Sequence, residues 1–129
     1  MDKPIDWRGS SLDDVREFPE AARKRAGYEL RKLQRGELPD DWRPFPEVGP
    51  GVNEIRLDSP DGWFRVMYVA KFEEAVYVLH GFQKKRQKTP KADLDLARRR
   101  MKARTRHEKE EHRLDTGLAV RRTRGTRGR

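Results

Sequence analysis

Three kinds of side chain in the middle of the chain can act on a phosphodiester. Arg56, Arg65 and Lys84 carry cationic N–H donors, and guanidinium groups bind phosphate oxygens through paired donors. His80 supplies an imidazole, the side chain that most readily gives or takes a proton near neutral pH. Trp63 and Phe82 offer ring faces on which bases stack. After His80 the run Lys84-Lys85-Arg86-Gln87-Lys88 adds charge beside which a phosphate backbone can lie, with Lys85, Arg86 and Lys88 as candidate contacts. Such a set suits attack of a ribose 2′-OH on its neighbouring phosphate, with His80 or a lysine taking the proton and Arg56 and Arg65 stabilising the phosphorane. That chemistry calls for no metal and no cofactor.

These residues are positioned by three period-2 runs, Val52 to Leu57, Trp63 to Ala70 and Ala75 to Phe82. The runs are separated by short turns and predict consecutive antiparallel hairpins. A turn at Ser59 to Gly62 sets Leu57 opposite Phe64, Ile55 opposite Val66 and Arg56 opposite Arg65. A turn at Lys71 to Glu74 sets Val66 opposite Leu79, Tyr68 opposite Tyr77 and Arg65 opposite His80. One face then gathers Ile55, Leu57, Phe64, Val66, Tyr68, Tyr77 and Leu79 for helices to pack on. The other carries a row of Arg56, Arg65 and His80, with Trp63 opposite Phe82 beside it and Lys84 just beyond. Two directly opposed arginines repel each other, and a bound anion removes that conflict. Each residue alone also has a structural reading, with Arg56 paired to Glu54 or Asp58, Arg65 to a helix carboxylate, and His80 half-buried in its strand.

Around these strands, Ile5 and Trp7 open a short strand, and Ser10-Ser11 offer caps for a helix from Leu12 whose apolar face is Leu12, Val15 and Phe18. A second helix is predicted from Pro19 to Arg35, with Ala22, Ala26, Leu30 and Leu33 at helical period and Gly36 ending it. The prolines between Glu37 and Pro50 predict a crossover loop anchored by Trp42 and Phe45. Thr89-Pro90 then opens a third helix with Leu94, Ala97 and Met101 on one face.

The whole is 129 residues, with 31 Lys+Arg against 22 Asp+Glu for a formal charge of +9. That length suits one domain, expected over 1–103, followed by a charged extension over 104–129 with a disordered arginine-rich tail. The positive balance favours a polyanionic partner, nucleic acid before acidic protein. The absence of cysteine excludes disulfides, thiolate nucleophiles and Cys-based zinc sites. No apolar run is long enough for a membrane span or shaped as a signal peptide, so a cytoplasmic protein is expected. Phosphate-loop, zinc-helix and serine-elbow motifs are all missing. His107 and His112 would stand about 140° apart around a helix, which argues against a shared metal.

Longer strings then carry a resemblance: Gly49-Pro50-Gly51-Val52-Asn53-Glu54-Ile55-Arg56, Phe64-Arg65-Val66-Met67-Tyr68, Val76-Tyr77-Val78-Leu79-His80-Gly81-Phe82-Gln83-Lys84-Lys85 and Gln87-Lys88-Thr89-Pro90. Together with Phe18-Pro19 and Pro39-Asp40-Asp41-Trp42 they make residues 4 to 103 similar to the phage-derived HigB-like toxins of the RelE/ParE superfamily. The resemblance implies an α+β fold, a mainly antiparallel sheet with two N-terminal helices and a C-terminal helix. It also implies a toxin of a type II toxin–antitoxin system, an mRNA-cleaving endoribonuclease that works commonly on the ribosome, and a cognate helix-turn-helix antitoxin. The phosphate-holding role carries to Arg56 and Arg65, the basic residue after the last strand matches Lys84 or Lys85, and His80 matches a histidine of HigB-type members. RelE-type enzymes use a C-terminal tyrosine, and none follows Tyr77 here. ParE-type relatives poison DNA gyrase instead, which leaves a non-enzymatic inhibitor, or an inactive nucleic-acid-binding relative, as the alternatives.

Overall fold

Alternation of apolar residues commits the middle of the chain to strands, and helical periodicity commits its flanks to helices. The computed structural model describes residues 2–103, so the extension over 104–129 lies outside the described residues. Its elements are β1 (Ile5–Trp7), α1 (Ser11–Arg16), α2 (Glu20–Gln34), β2 (Trp42–Pro44), β3 (Val52–Ser59), β4 (Gly62–Val69) and β5 (Val76–Lys84). A third helix, α3, occupies residues 91–103 as far as the description reaches. The five strands form one sheet in the order β1-β5-β4-β3-β2, antiparallel except where β1 runs parallel to β5. The α+β expectation therefore holds.

One face of the sheet packs on α1 and α2. Val15, Phe18, Ala22, Ala26, Leu30 and Leu33 meet Ile55, Leu57, Phe64, Val66, Tyr68, Val76 and Val78 there. Gly81 lets α1 come close to β5, because a Cβ at that position would stand 3.0 Å from Val15 Cγ2. The opposite face packs Met67, Val69, Tyr77, Leu79 and Phe82 against Ala97 and Met101 of α3 and Phe45 and Val48 of the connection between β2 and β3. Each such large apolar side chain, once buried, contributes about 1.5–3 kcal/mol. The part of this second face that α3 leaves uncovered holds the site.

The first hairpin follows the expected register, including Arg56 opposite Arg65 and Leu57 opposite Phe64. The second does not. Arg65 pairs with Phe82, Met67 with His80 and Trp63 with Lys84, and the register shifts between Met67 and Tyr68, which leaves Leu79 without a partner. A bulge reverses the side-chain alternation on one strand only. Tyr77 and Leu79 therefore lie on the α3 face and Val76 and Val78 on the other, the reverse of the alternation expected from the sequence.

Three local expectations also change. The proline-rich crossover contains an edge strand, β2, whose Trp42, Arg43 and Pro44 pair with Ile55, Glu54 and Asn53. Pro44 is tolerated because an edge strand has a free side. Ser10 occupies the N-cap position of α1 without a capping bond, since its Oγ accepts from Arg100 Nη2 and Ser11 Oγ donates to Val78 O. Thr89 does not cap α3 through its hydroxyl either, as its Oγ1 is buried without a hydrogen-bond partner.

Candidate active site

Strands β2, β3 and β4, the end of β5 and the loop after it bring Arg43, Arg56, Asp58, Trp63, Arg65, Lys84 and Gln87 around an open hollow of about 350 Å³. Side chains two apart on a strand share a face, which is why Arg56 and Asp58, or Trp63 and Arg65, arrive together. Trp63 stands at the rim, 44% exposed. Arg65 lies deep, only 5% exposed.

Acidic side chains relieve the repulsion between the two opposed arginines. Arg56 Nε donates to Asp41 Oδ1 at 3.0 Å, and Arg65 Nη1 donates to Asp58 Oδ1 at 2.8 Å and to Phe64 O at 2.9 Å. The pairing partners are thus Asp41 and Asp58, and for Arg65 a strand residue replaces the expected helix carboxylate. Arg43 Nε donates to Glu54 Oε1 at 3.2 Å, an oxygen that also lies 3.8 Å from Arg65 Nε. Glu54 is wholly buried, and its Oε2 has no hydrogen-bond partner.

Helix α2 supports this arrangement from outside the hollow. Buried Glu29 accepts the backbone N–H of Asp40 at 2.9 Å, and Arg25 and Lys32 pair with the Asp40 side chain. The Lys32 hydrogen bond, followed by the contact with Glu29, holds the Asp40 carboxyl below its usual value. This anchors the chain immediately before Asp41, whose backbone carbonyl also accepts Arg56 N–H.

Lys84 differs from the arginines. Among the described residues it makes no ion pair within 4 Å, and it is 9% exposed. Burial pulls its ammonium below the usual lysine value; Glu54 opposes that shift, while Arg65, Arg43 and Arg56 add to it. A lysine in this setting holds its proton loosely and can exchange it.

His80 is placed elsewhere. Its Nε2 lies 2.7 Å from Asp93 Oδ1 of α3 and its Nδ1 3.3 Å from Asp14 Oδ2 of α1. Its ring stacks on Phe82 with centroids 5.1 Å apart. The expected row of Arg56, Arg65 and His80 is therefore replaced by Arg56, Arg65 and Phe82, because of the shifted register. Phe82 is packed into the α3 cluster and is not among the hollow's lining residues. Lys85, Arg86 and Lys88 are exposed on the loop that also carries Gln87 to the rim. Among the described residues no tyrosine lines the hollow, and no cluster of three or more His, Asp or Glu suits a metal ion.

Residues 13–102 match the family described as "Phage derived protein Gp49-like (DUF891)". The chain belongs to that Gp49-like family. A solved structure of E. coli toxin RelE in the free state, carrying two arginine-to-alanine mutations, superposes on this Gp49-like chain with a TM-score of 0.55 at 16% identity. The match covers 80% of this chain and 98% of that one, so the fold is RelE-like. No curated protein matches the Gp49-like chain. Among the described residues no helix is long and apolar enough to cross a membrane.

Sequence reasoning missed Arg43, Glu54 and Gln87 as parts of the site. Arg43 was hidden between prolines that read as loop. Glu54 did carry a signal: a carboxylate at an inward position of an apolar strand, two residues from Arg56, needs a cationic partner.

Proposed function

We propose that this Gp49-like protein is the toxin of a type II toxin–antitoxin pair, a HigB-like endoribonuclease that cuts mRNA on the ribosome without a metal and so halts translation. The observation that carries this reading is the hollow, where Arg56 and Arg65 face each other on adjacent strands beside an exposed Trp63 and a nearly buried Lys84 that has no ion-pair partner among the described residues. A phosphodiester fits the cations, and a base fits the indole face. The cognate helix-turn-helix antitoxin is the protein partner in this reading, and the cytoplasm is where it acts.

In the reaction, the neutral fraction of Lys84 takes the proton of the ribose 2′-OH as the bond from the 2′-oxygen to phosphorus forms. The bond to the 5′-oxygen breaks, and the leaving oxygen receives the proton back from the Lys84 ammonium. The products are a 2′,3′-cyclic phosphate and a 5′-hydroxyl. Arg56 and Arg65 stabilise the phosphorane charge, exchanging their carboxylate partners for phosphate oxygens. Lys85, Arg86 and Lys88 guide the flanking backbone, sequence-independently. His80 has no part in the proton transfer, since both ring nitrogens are engaged by Asp14 and Asp93 away from the hollow.

Controlled expression in a bacterial host tests the assignment. Shortened transcripts and arrested translation support it. DNA breaks with intact transcripts identify a gyrase poison instead, and salt-sensitive RNA binding with neither effect identifies an inactive relative.

A further inference from the structure

Glu54 is the least expected side chain in the fold. It is a carboxylate with no exposed surface, and one of its oxygens has no hydrogen-bond partner. Removing an ionised carboxylate from water costs several kcal/mol, and an unpartnered buried oxygen adds to that cost. A hydrophobic residue here would continue the apolar face around Val52 and Met67 without that penalty. The cost is tolerated where a charge acts on its neighbours.

Those neighbours all belong to the hollow. Glu54 Oε1 lies 3.2 Å from Arg43 Nε and 3.8 Å from Arg65 Nε, and the buried Arg65 Nε has no other partner. Arg43 of β2, Arg56 and Asp58 of β3 and Arg65 of β4 line the hollow with Lys84, and Glu54 of β3 lies against two of them, Arg43 and Arg65. Asp58 is half exposed and already engaged by Arg65, so it is screened by water. Glu54 is the carboxylate among these that solvent does not reach.

We infer that Glu54 is a positioning residue, a buried counter-charge beneath the hollow that holds the Arg43 and Arg65 guanidinium groups in place beside Lys84. The inference rests on reading the hollow as a phosphodiester site with Lys84 as its base. In that reading Glu54 never touches RNA. It keeps the Lys84 ammonium from being expelled by three guanidinium groups, while burial keeps the proton transferable. This agrees with the opposing influences on Lys84, where burial lowers its proton affinity and Glu54 restores part of it.

The test is Glu54→Gln, which keeps an acceptor for Arg43 and removes the charge. Two readouts are taken on the full chain: the Lys84 titration by NMR of labelled lysine side chains, and the pH profile of RNA cleavage on programmed ribosomes. Loss of the Glu54 charge should lower the Lys84 titration by more than about 0.3 pH unit, the direction expected when a neighbouring opposite charge is removed. The acidic limb of the cleavage profile moves down by the same amount. A Lys84 titration within about 0.3 unit of wild type, in a folded variant, overturns the inference and leaves Glu54 as a structural residue. If the wild type cleaves no RNA but the titration shifts, the functional reading fails and the electrostatic role of Glu54 stands. Should Glu54→Gln not fold, Glu54→Gln/Arg65→Gln is compared with Arg65→Gln alone, because the double variant leaves neither member of the buried Glu54–Arg65 contact facing a lost partner, and Arg43 and Asp58, which also lose one, reach solvent; the same downward shift between those two is expected, and its absence is again fatal.

Discussion

Arg56 and Arg65 are Cα partners on adjacent antiparallel strands, yet their guanidinium groups are held by different carboxylates, Asp41 from the β2 side and Asp58 two residues along β3. The pair is thus kept close by acids at the rim, each about half exposed. The Arg56–Asp41 pair is exposed at both ends and so is weak enough to be exchanged, whereas Arg65 meets Asp58 from within the hollow.

Arg56 is the cleaner arginine to remove. It is 39% exposed and its partner Asp41 is 47% exposed, so Arg56→Gln should change stability by less than about 1 kcal/mol. Cleavage should fall by about 10²-fold or more, the usual cost of losing a preorganised charge at a developing oxyanion. Thermal denaturation and single-turnover cleavage measured on the same preparation check both halves.

Asp58→Asn should tighten RNA binding. Removing the carboxylate frees Arg65 Nη1 for phosphate and makes the rim more positive, with a gain of about 0.5–1 kcal/mol at low salt. Titration of a short single-stranded RNA at two ionic strengths measures it, and the gain should shrink at the higher one.

Lys84 gives the fold a pH dependence of known sign. Its folded-state value is lowered, so between that value and 10.5 the unfolded chain binds more protons than the folded one. Stability therefore rises with pH across that window as the buried ammonium is neutralised, and its burial penalty is full below it. Lys84→Met should raise stability near neutral pH and flatten the rise, as read from urea unfolding at several pH values.

His80→Ala should cost about 2 kcal/mol, because the ring's contacts with Asp14 and Asp93 join α1, β5 and α3. Cleavage per folded molecule should persist. A variant of normal stability that has lost cleavage would return His80 to the reaction.

Much of this was legible in the residues. Ala22, Ala26, Leu30 and Leu33 marked the buried stripe of α2, and the tight turn at Ser59 to Gly62 set the register that opposes Arg56 and Arg65. The second hairpin was not legible, because its longer connection and the bulge at Leu79 leave no compositional mark, and each slip of one residue reverses a face. That irregularity moved His80 from the expected row to the Asp14–Asp93 clamp. The counter-charges were also obscure. Asp41 reaches Arg56 from a segment that Glu29, on a helix that reads as core and solvent face, anchors through Asp40.

The most direct measurement is cleavage of mRNA on programmed ribosomes by purified wild type, Arg56→Gln and Lys84→Met, with the chemistry of the new ends determined. The wild type should leave 2′,3′-cyclic phosphate and 5′-hydroxyl ends, with chelator present, and both variants should be slower by at least about 10²-fold. Undiminished cleavage by folded Arg56→Gln and Lys84→Met, or no cleavage by the wild type on any template, would contradict this mechanism.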